Sequence, residues 1–85
     1  MTLNSYILFD KQADKFNSPM FLQNDAVAMR SIRNELMNPN SQIALSPQDF
    51  VIYCNGEYDD ETGHYHGEPE LRLVSEVSDI ELPEK

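Results

Sequence analysis

One amphipathic helix is indicated by NDAVAMRSIRNELMNP, residues 24–39, and predicted strands lie on either side of it. Asn24 is a good N-cap, because its side chain can accept a hydrogen bond from a free backbone N–H of the first turn. An apolar stripe recurs at positions i, i+4 and i+8, formed by Ala28, Ile32 and Leu36. The residue before Pro39 avoids helical backbone angles. The pattern therefore predicts a helix from about residue 25 to residue 37, with one face on a core.

Two β-favouring segments precede the helix. Tyr6–Phe9 is apolar on both faces of a strand, which is typical of a central or covered strand. Residues 16–22 contain Pro19, and proline inside a strand is confined to sheet edges. This second segment is therefore predicted as an edge strand or an extended arm.

The segments after the helix predict further strands. Phe50–Cys54 is strand-like, and Gly56 indicates a turn or bulge within it. We expect, in order, a hairpin loop at 59–63, a short return strand at 64–66, a break at 67–70 and a final strand at 71–74. The predicted fold is a single α+β domain over residues 1–75, with one helix on a small, mostly antiparallel sheet in β-α-β-β-β order. Residues 76–85 are predicted to form an acidic C-terminal tail that frays or docks on a partner.

The charge of the chain is concentrated in its second half. The 85 residues carry 15 acidic and six basic side chains, a net charge of −9. Residues 1–45 are balanced, so residues 46–85 carry the whole excess. This argues against a protein that coats duplex DNA or an anionic membrane. With one cysteine, no long apolar run and no signal-peptide pattern, the chain is expected in a reducing cytoplasm.

Residue types that could carry chemistry form no strong motif. His64 and His66 would share one face of a strand and reach one metal ion, with Asp59–Glu61 nearby, but no known ligand spacing is matched. Cys54 follows an apolar strand, where cysteine is usually a small core residue. We predict no enzyme activity, no metal site and no cofactor.

Four bases of the balanced half are candidates for contacting single-stranded nucleic acid. They are Lys11, Lys15, Arg30 and Arg33. If the loop after the first strand lies beside the helix, these bases could join Tyr6 or Phe16 in a cationic site with stacking aromatics. The alternative is that they are ordinary solvated charges.

The order and spacing of several residues resemble the small non-structural protein of gokushoviruses, single-stranded-DNA phages of the Microviridae. The matching motifs are Tyr6-x-x-Phe9-Asp10-Lys11-x-Ala13, Asn24-Asp25-x-x-Ala28-x-Arg30, Pro47-x-Asp49-Phe50-x-x-Tyr53-x-x-Gly56-x-Tyr58-Asp59 and Thr62-Gly63. The resemblance covers about residues 6–63 and implies a phage protein in the cytoplasm of a bacterial host. It implies a role in DNA replication, at the switch from duplex replicative form to single-stranded genome synthesis.

Among basic residues the resemblance points to Lys11 and Arg30, whereas Phe9, Asp10, Tyr53 and Gly56 are expected to define the fold. Two hypotheses about partners stay open. In the first, the protein binds single-stranded DNA or the replication initiator through the four bases. In the second, the acidic half docks on a basic phage or host protein through Asp59, Asp60 and Glu61. Under either hypothesis we expect a homodimer, because the Tyr6–Phe9 strand needs cover on its second face.

Overall fold

The computed structural model describes residues 1–82 and contains a five-stranded sheet with one main helix. In chain order the elements are β1 (Thr2–Asp10), β2 (Lys15–Phe16), β3 (Met20–Leu22), α1 (Asp25–Leu36), α2 (Gln42–Leu45), a 3₁₀ turn (Pro47–Asp49), β4 (Phe50–Asp59), β5 (Tyr65–Glu76) and a second 3₁₀ turn (Val77–Asp79). No helix in this part of the chain is long and apolar enough to cross a membrane.

The sheet is antiparallel throughout, and β1 lies in its middle. One side of β1 pairs with both β2 and β3, and the other side pairs with β4, which pairs in turn with β5. The predicted α+β class, with one main helix and a mostly antiparallel sheet, is confirmed. The predicted order was incomplete, since three strands rather than one precede the helix. Asn17-Ser18-Pro19 interrupts the pairing and divides the predicted edge arm into two short strands.

The prediction of two separate strands after the hairpin is wrong. Residues 65–76 form one strand, which pairs with β4 over most of its length. Cys54 pairs with Arg72 and Gly56 pairs with Gly67, so residues 68–71 are bulged opposite a single residue of β4. A bulge absorbs the extra residues and accommodates Pro69, which lacks a backbone donor. The predicted break is therefore an irregularity within a continuous strand.

The core lies between α1 and one face of the sheet. Its fully or nearly fully buried members are Tyr6, Leu8, Ala28, Ile32, Phe50, Ile52, Cys54 and Val77. Ala28 and Ile32 are the two buried positions of the predicted helical stripe. The Asn24 side chain caps α1 by accepting a hydrogen bond from the backbone N–H of Val27 at 2.9 Å, as predicted. The helix is thus held by its cap and by its apolar face.

The segment predicted to be a tail begins on the core. Val77 is fully buried and Ile80 packs against the same cluster. Residues 76–80 are therefore packed on the domain's own core, and they bring Asp79 and Glu81 close to α1. Residues 83–85 of the predicted tail lie outside the described residues.

The opposite face of the sheet is covered by no helix of residues 1–82. Cross-strand partners point to the same face, and the register places ten apolar or aromatic residues there. We call this set the open face: Leu3, Ile7, Phe9, Phe16, Phe21, Val51, Tyr53, Tyr58, Tyr65 and Leu73. Three ring pairs lie along it, with centroid distances of 4.9, 6.2 and 5.0 Å for Phe9–Phe16, Phe16–Tyr53 and Phe21–Tyr58.

Candidate binding site

Two of the four predicted bases share one groove. Arg30 and Arg33 are three residues apart, which makes them neighbours on a helix, and both line a cavity of about 700 Å³ between α1 and residues 79–81. The other lining residues are Asn24, Ala26, Val27, Met29, Asp79, Ile80 and Glu81. We call this cavity the arginine groove. Because Ala28 and Ile32 fasten α1 to the sheet, the two guanidinium groups project from a rigid element.

The arginine groove combines charge with apolar surface. Asp79 and Glu81 supply as many negative charges to its lining as the two arginines supply positive ones. Within residues 1–82 neither guanidinium forms an ion pair. An unpaired guanidinium presents up to five N–H donors to a carboxylate or phosphate. The groove can therefore take an anionic group while its apolar wall contacts an uncharged one.

The two lysines lie outside the arginine groove. Lys11 Nζ donates to the Gln48 carbonyl oxygen at 3.2 Å and lies 3.4 Å from Glu76 Oε2. Lys15 is on the edge strand β2, where it pairs with Asp10. The four bases that the sequence grouped together thus form no single cavity.

The aromatic residues expected beside the bases are also elsewhere. Tyr6 is fully buried under α1, and Phe16 lies on the open face, on the far side of the sheet. The sequence does not indicate which face of β1 packs under the helix, because both faces of this strand are apolar. A site that stacks bases on Tyr6 or Phe16 beside Arg30 and Arg33 is therefore excluded by the geometry.

A polar network ties the start of α1 to β1 and β5. The Tyr6 hydroxyl donates to Asp25 Oδ1 at 2.6 Å and accepts a hydrogen bond from Asn4 Nδ2 at 3.0 Å. Arg72 approaches the same carboxylate with both terminal nitrogens, at 2.8 and 2.9 Å. Bidentate pairs of this kind are among the stronger charge-assisted hydrogen bonds. The sequence reveals none of this, since Asp25 and Arg72 are 47 residues apart.

The network perturbs the titration of its members. Hydrogen bonds from Arg72, and then from Tyr6, lower the pKa of Asp25 from 3.8 to about 2. Burial, followed by the hydrogen bond to Asp25, raises the pKa of Tyr6 from 10.0 to about 12. The pKa of Arg72 is raised by the Asp25 carboxylate. All three groups therefore keep their usual charge across the neutral range.

Acid should weaken this network. The folded-state pKa of Asp25 lies below its unfolded value, so its stabilising contribution is present above about pH 4 and is lost as the pH falls towards 2. The carboxylate is 43% exposed, and solvent screening limits the contribution to about 1 kcal/mol. We expect Asp25→Asn to destabilise the protein by that amount at pH 6 and by only about a third of it at pH 2.5, measured by urea unfolding. Glu35→Gln, on the exposed side of α1, is the control; an Asp25→Asn effect that does not change with pH would contradict the assignment.

The acidic hairpin predicted as a protein-binding surface is partly used within the chain. Asp59 Oδ1 accepts a hydrogen bond from the backbone N–H of Glu61 at 2.9 Å, and this bond lowers the pKa of Asp59. The amino group of Met1 lies 2.7 Å from Asp60 Oδ1 and 3.2 Å from Glu61 Oε1. Asp59 therefore shapes its own turn, whereas Asp60 and Glu61 are exposed and available for a basic surface.

Comparison with known families assigns the chain. The model of a family described as Phage ORF5 protein matches residues 3–80, which include both helices and every strand except the first residue of β1. The chain belongs to this phage protein family. No curated protein and no solved structure matches it. The phage origin implied by the sequence resemblance is thereby confirmed, while the assignment to gokushoviruses and the role in replication stay predictions.

The remaining candidate residues of this phage ORF5 family member lie on β4 and in the hairpin that follows it. His64 and His66 are exposed, and residues 1–82 contain no group of three or more side chains suited to a metal ion. Cys54 is buried, and its thiol lies 3.6 Å from the Gly56 carbonyl oxygen. A smaller cavity of about 320 Å³ is lined by Asn4, Cys54, Glu57, Glu68, Glu70 and Arg72. Its three glutamates make it an acidic surface, adjoining the Asp25 network at Arg72.

Proposed function

We propose that this phage protein is a non-enzymatic accessory factor of viral DNA replication that acts by binding. It assists the switch from the duplex replicative form to single-stranded genome synthesis, and it contacts single-stranded DNA or the replication machinery through the arginine groove. The observation that carries the proposal is the pair of neighbouring guanidinium groups of Arg30 and Arg33 on the wall of a cavity of about 700 Å³. Neither group is ion-paired within residues 1–82.

The chemistry of the groove suits a phosphodiester beside a base or an apolar side chain. Arginine binds phosphate oxygens in a two-point geometry, and Val27, Met29 and Ile80 give an apolar surface next to the two guanidinium groups. A flexible single strand can place one or two phosphates there without bringing the rest of its backbone close to the acidic half. A rigid duplex carries many phosphates past the same surface, which the net charge of −9 disfavours.

Binding of single-stranded DNA should be weak and depend on salt. With two phosphate contacts, the logarithm of affinity falls with the logarithm of salt concentration with a slope of about −1.4, or about sevenfold between 50 and 200 mM. Fluorescence anisotropy with a labelled thymidine 20-mer measures this slope. Arg30→Gln/Arg33→Gln should weaken binding at 50 mM salt at least about tenfold and bring the slope close to zero.

The matched control is Lys11→Gln/Lys15→Gln, which removes the same charge from positions outside the groove. Equal losses in both double variants would mean that only net charge matters and would contradict the groove. If the unmodified protein does not bind at 50 mM salt, direct DNA contact is refuted.

A second candidate function is supported by the acidic surface of the hairpin and β5. Asp60, Glu61, Glu68 and Glu70 are all exposed and lie on one continuous stretch of chain. Such a surface fits a basic phage or host protein, which it would meet by electrostatic attraction. A partner recovered from infected cells by the Arg30→Gln/Arg33→Gln variant, but lost on Asp60→Asn/Glu61→Gln, would favour this function over the first.

A further inference from the structure

The open face is an unpartnered apolar surface on a strongly acidic protein. Its ten residues are apolar or aromatic, although the whole chain carries −9. The register adds one charged side chain to this face, Glu76 opposite Val51, and Glu76 is ion-paired with Lys11 at 3.4 Å. Phe16 is 47% exposed and Leu73 is 57% exposed, at opposite edges of the sheet. Contiguous apolar patches of this kind mark interaction surfaces in soluble proteins.

We infer that the open face binds a second copy of this chain, face to face, in a two-fold symmetric dimer. A two-fold interface brings the same patch of both subunits together, so the patch must be compatible with itself. A mainly apolar face, whose one register-assigned carboxylate, Glu76, is paired with Lys11, satisfies this condition. The acidic hairpin and the glutamates of the β5 bulge would repel their own copies.

The available area agrees with a dimer. A standard interface takes about 800 Å² from each partner, about one seventh of the 5718 Å² surface of this protein. The molecule measures 41 × 29 × 19 Å, so one broad side has room for such a patch. Two sheets pack face to face about 10 Å apart, with their side chains interdigitated. The dimer would give each 85-residue chain a second buried apolar layer. The gain in stability matters most for a small domain, because such a domain buries a smaller fraction of its own surface.

The sheet edges favour this geometry over side-by-side pairing of strands. Pro69 and its neighbouring glutamates lie in the bulge of β5, which is one edge. Pro19 lies between β2 and β3, which form the other edge. Proline, bulges and charge are the features by which proteins block edge-to-edge association. The face, rather than an edge, is left for the partner.

The charge of the open face also decides between a protein and a nucleic acid as its occupant. Its six aromatic rings could stack on bases, but binding of single strands requires a positively charged groove as well. Lys11 lies beside Glu76 at the edge of the face, where its charge is offset by that carboxylate. Arg30 and Arg33 lie on the other side of the sheet.

Light scattering coupled to size exclusion tests the inference. At about 50 µM protein and physiological salt we expect a mass of twice 9.8 kDa. Leu73→Lys, which places a charge on the open face of both copies, should raise the dimer dissociation constant at least about 100-fold. Leu45→Lys makes the same change at a residue of α2 that is 68% exposed, and it should change the constant less than threefold.

Phe16→Ser provides a second variant at the other edge of the face, and far-UV circular dichroism verifies that each variant is folded. A monomeric unmodified protein would overturn the inference, as would a dimer that Leu45→Lys weakens as much as Leu73→Lys. A monomer whose affinity for a thymidine 20-mer falls in Phe16→Ser would assign the face to nucleic acid instead. These outcomes are independent of the arginine groove, because Arg30→Gln/Arg33→Gln leaves the open face unchanged.

Discussion

Replacement of Gly56 by alanine is expected to lower the free energy of unfolding by about 3 kcal/mol or more. Gly56 has φ +156°, a backbone conformation that side chains with a Cβ rarely adopt. A Cβ at this position would collide with the backbone carbonyl oxygen of His66 and would lie 2.9 Å from the Tyr65 hydroxyl and 3.0 Å from the Gly67 Cα. Since two of these contacts are backbone, the strand pair itself would have to move.

The matched control for Gly56→Ala is Gly63→Ala. Gly63 also has a positive φ, of +77°, but no atom lies within 4 Å of where its Cβ would be. We expect this variant to lose only about 1 kcal/mol, from the left-handed backbone alone. Urea unfolding monitored by circular dichroism measures both values. Equal losses in the free energy of unfolding would show that the close approach of β4 and β5 at Gly56 does not contribute to the cost of a Cβ there.

Replacement of Ile52 by alanine is expected to lower the free energy of unfolding by about 3–4 kcal/mol, because it leaves a cavity in the centre of the core. Ile52 is fully buried on β4, directly opposite Leu8 of β1, and belongs to the cluster that α1 covers. A domain of this size has a total stability of about 4–13 kcal/mol. The variant should therefore melt roughly 15–25 °C below the unmodified protein in a thermal scan.

Ile52→Val and Leu45→Ala complete the series. The valine variant removes one methylene and should lose about 1 kcal/mol, while Leu45 is largely exposed on α2 and its truncation should change stability by less than about 0.5 kcal/mol. If Ile52→Ala lowers the free energy of unfolding no more than Leu45→Ala does, the core is not organised around β4.

The sequence predicted the elements whose signal is local. The capping side chain of Asn24, the stripe of Ala28 and Ile32 and the stop before Pro39 together define α1 within one residue of its observed end. The sequence indicates a turn or bulge at Gly56, and the register of β1 and β4 shifts beside it. Each of these features depends on residues a few positions apart, so one sequence contains the necessary information.

Features that depend on distant residues could not be predicted. The sequence of residues 68–71 predicts a break, although the structure has a bulge there. Pro69 and the neighbouring glutamates are equally typical of the end of a strand and of a bulge within one. The Asp25–Arg72 pair and the enclosure of Val77 join segments about 50 residues apart. The four predicted bases do not form one site for the same reason. Arg30 and Arg33 are neighbours on one helix, whereas Lys11 and Lys15 could join them only if the loop after β1 lay beside that helix, and it does not.

The central position of β1 has a consequence for synthesis of the protein. β1 emerges first and can pair with β2 and β3 as soon as residue 22 is made, but its other partner, β4, is completed only at residue 59. At about 5–20 residues per second, roughly 2–7 s pass while one edge of Tyr6–Phe9 has no partner. An unpaired apolar edge is where nascent chains aggregate or are bound by chaperones. Arrival of β4, rather than formation of α1, should therefore end the period in which this edge is exposed.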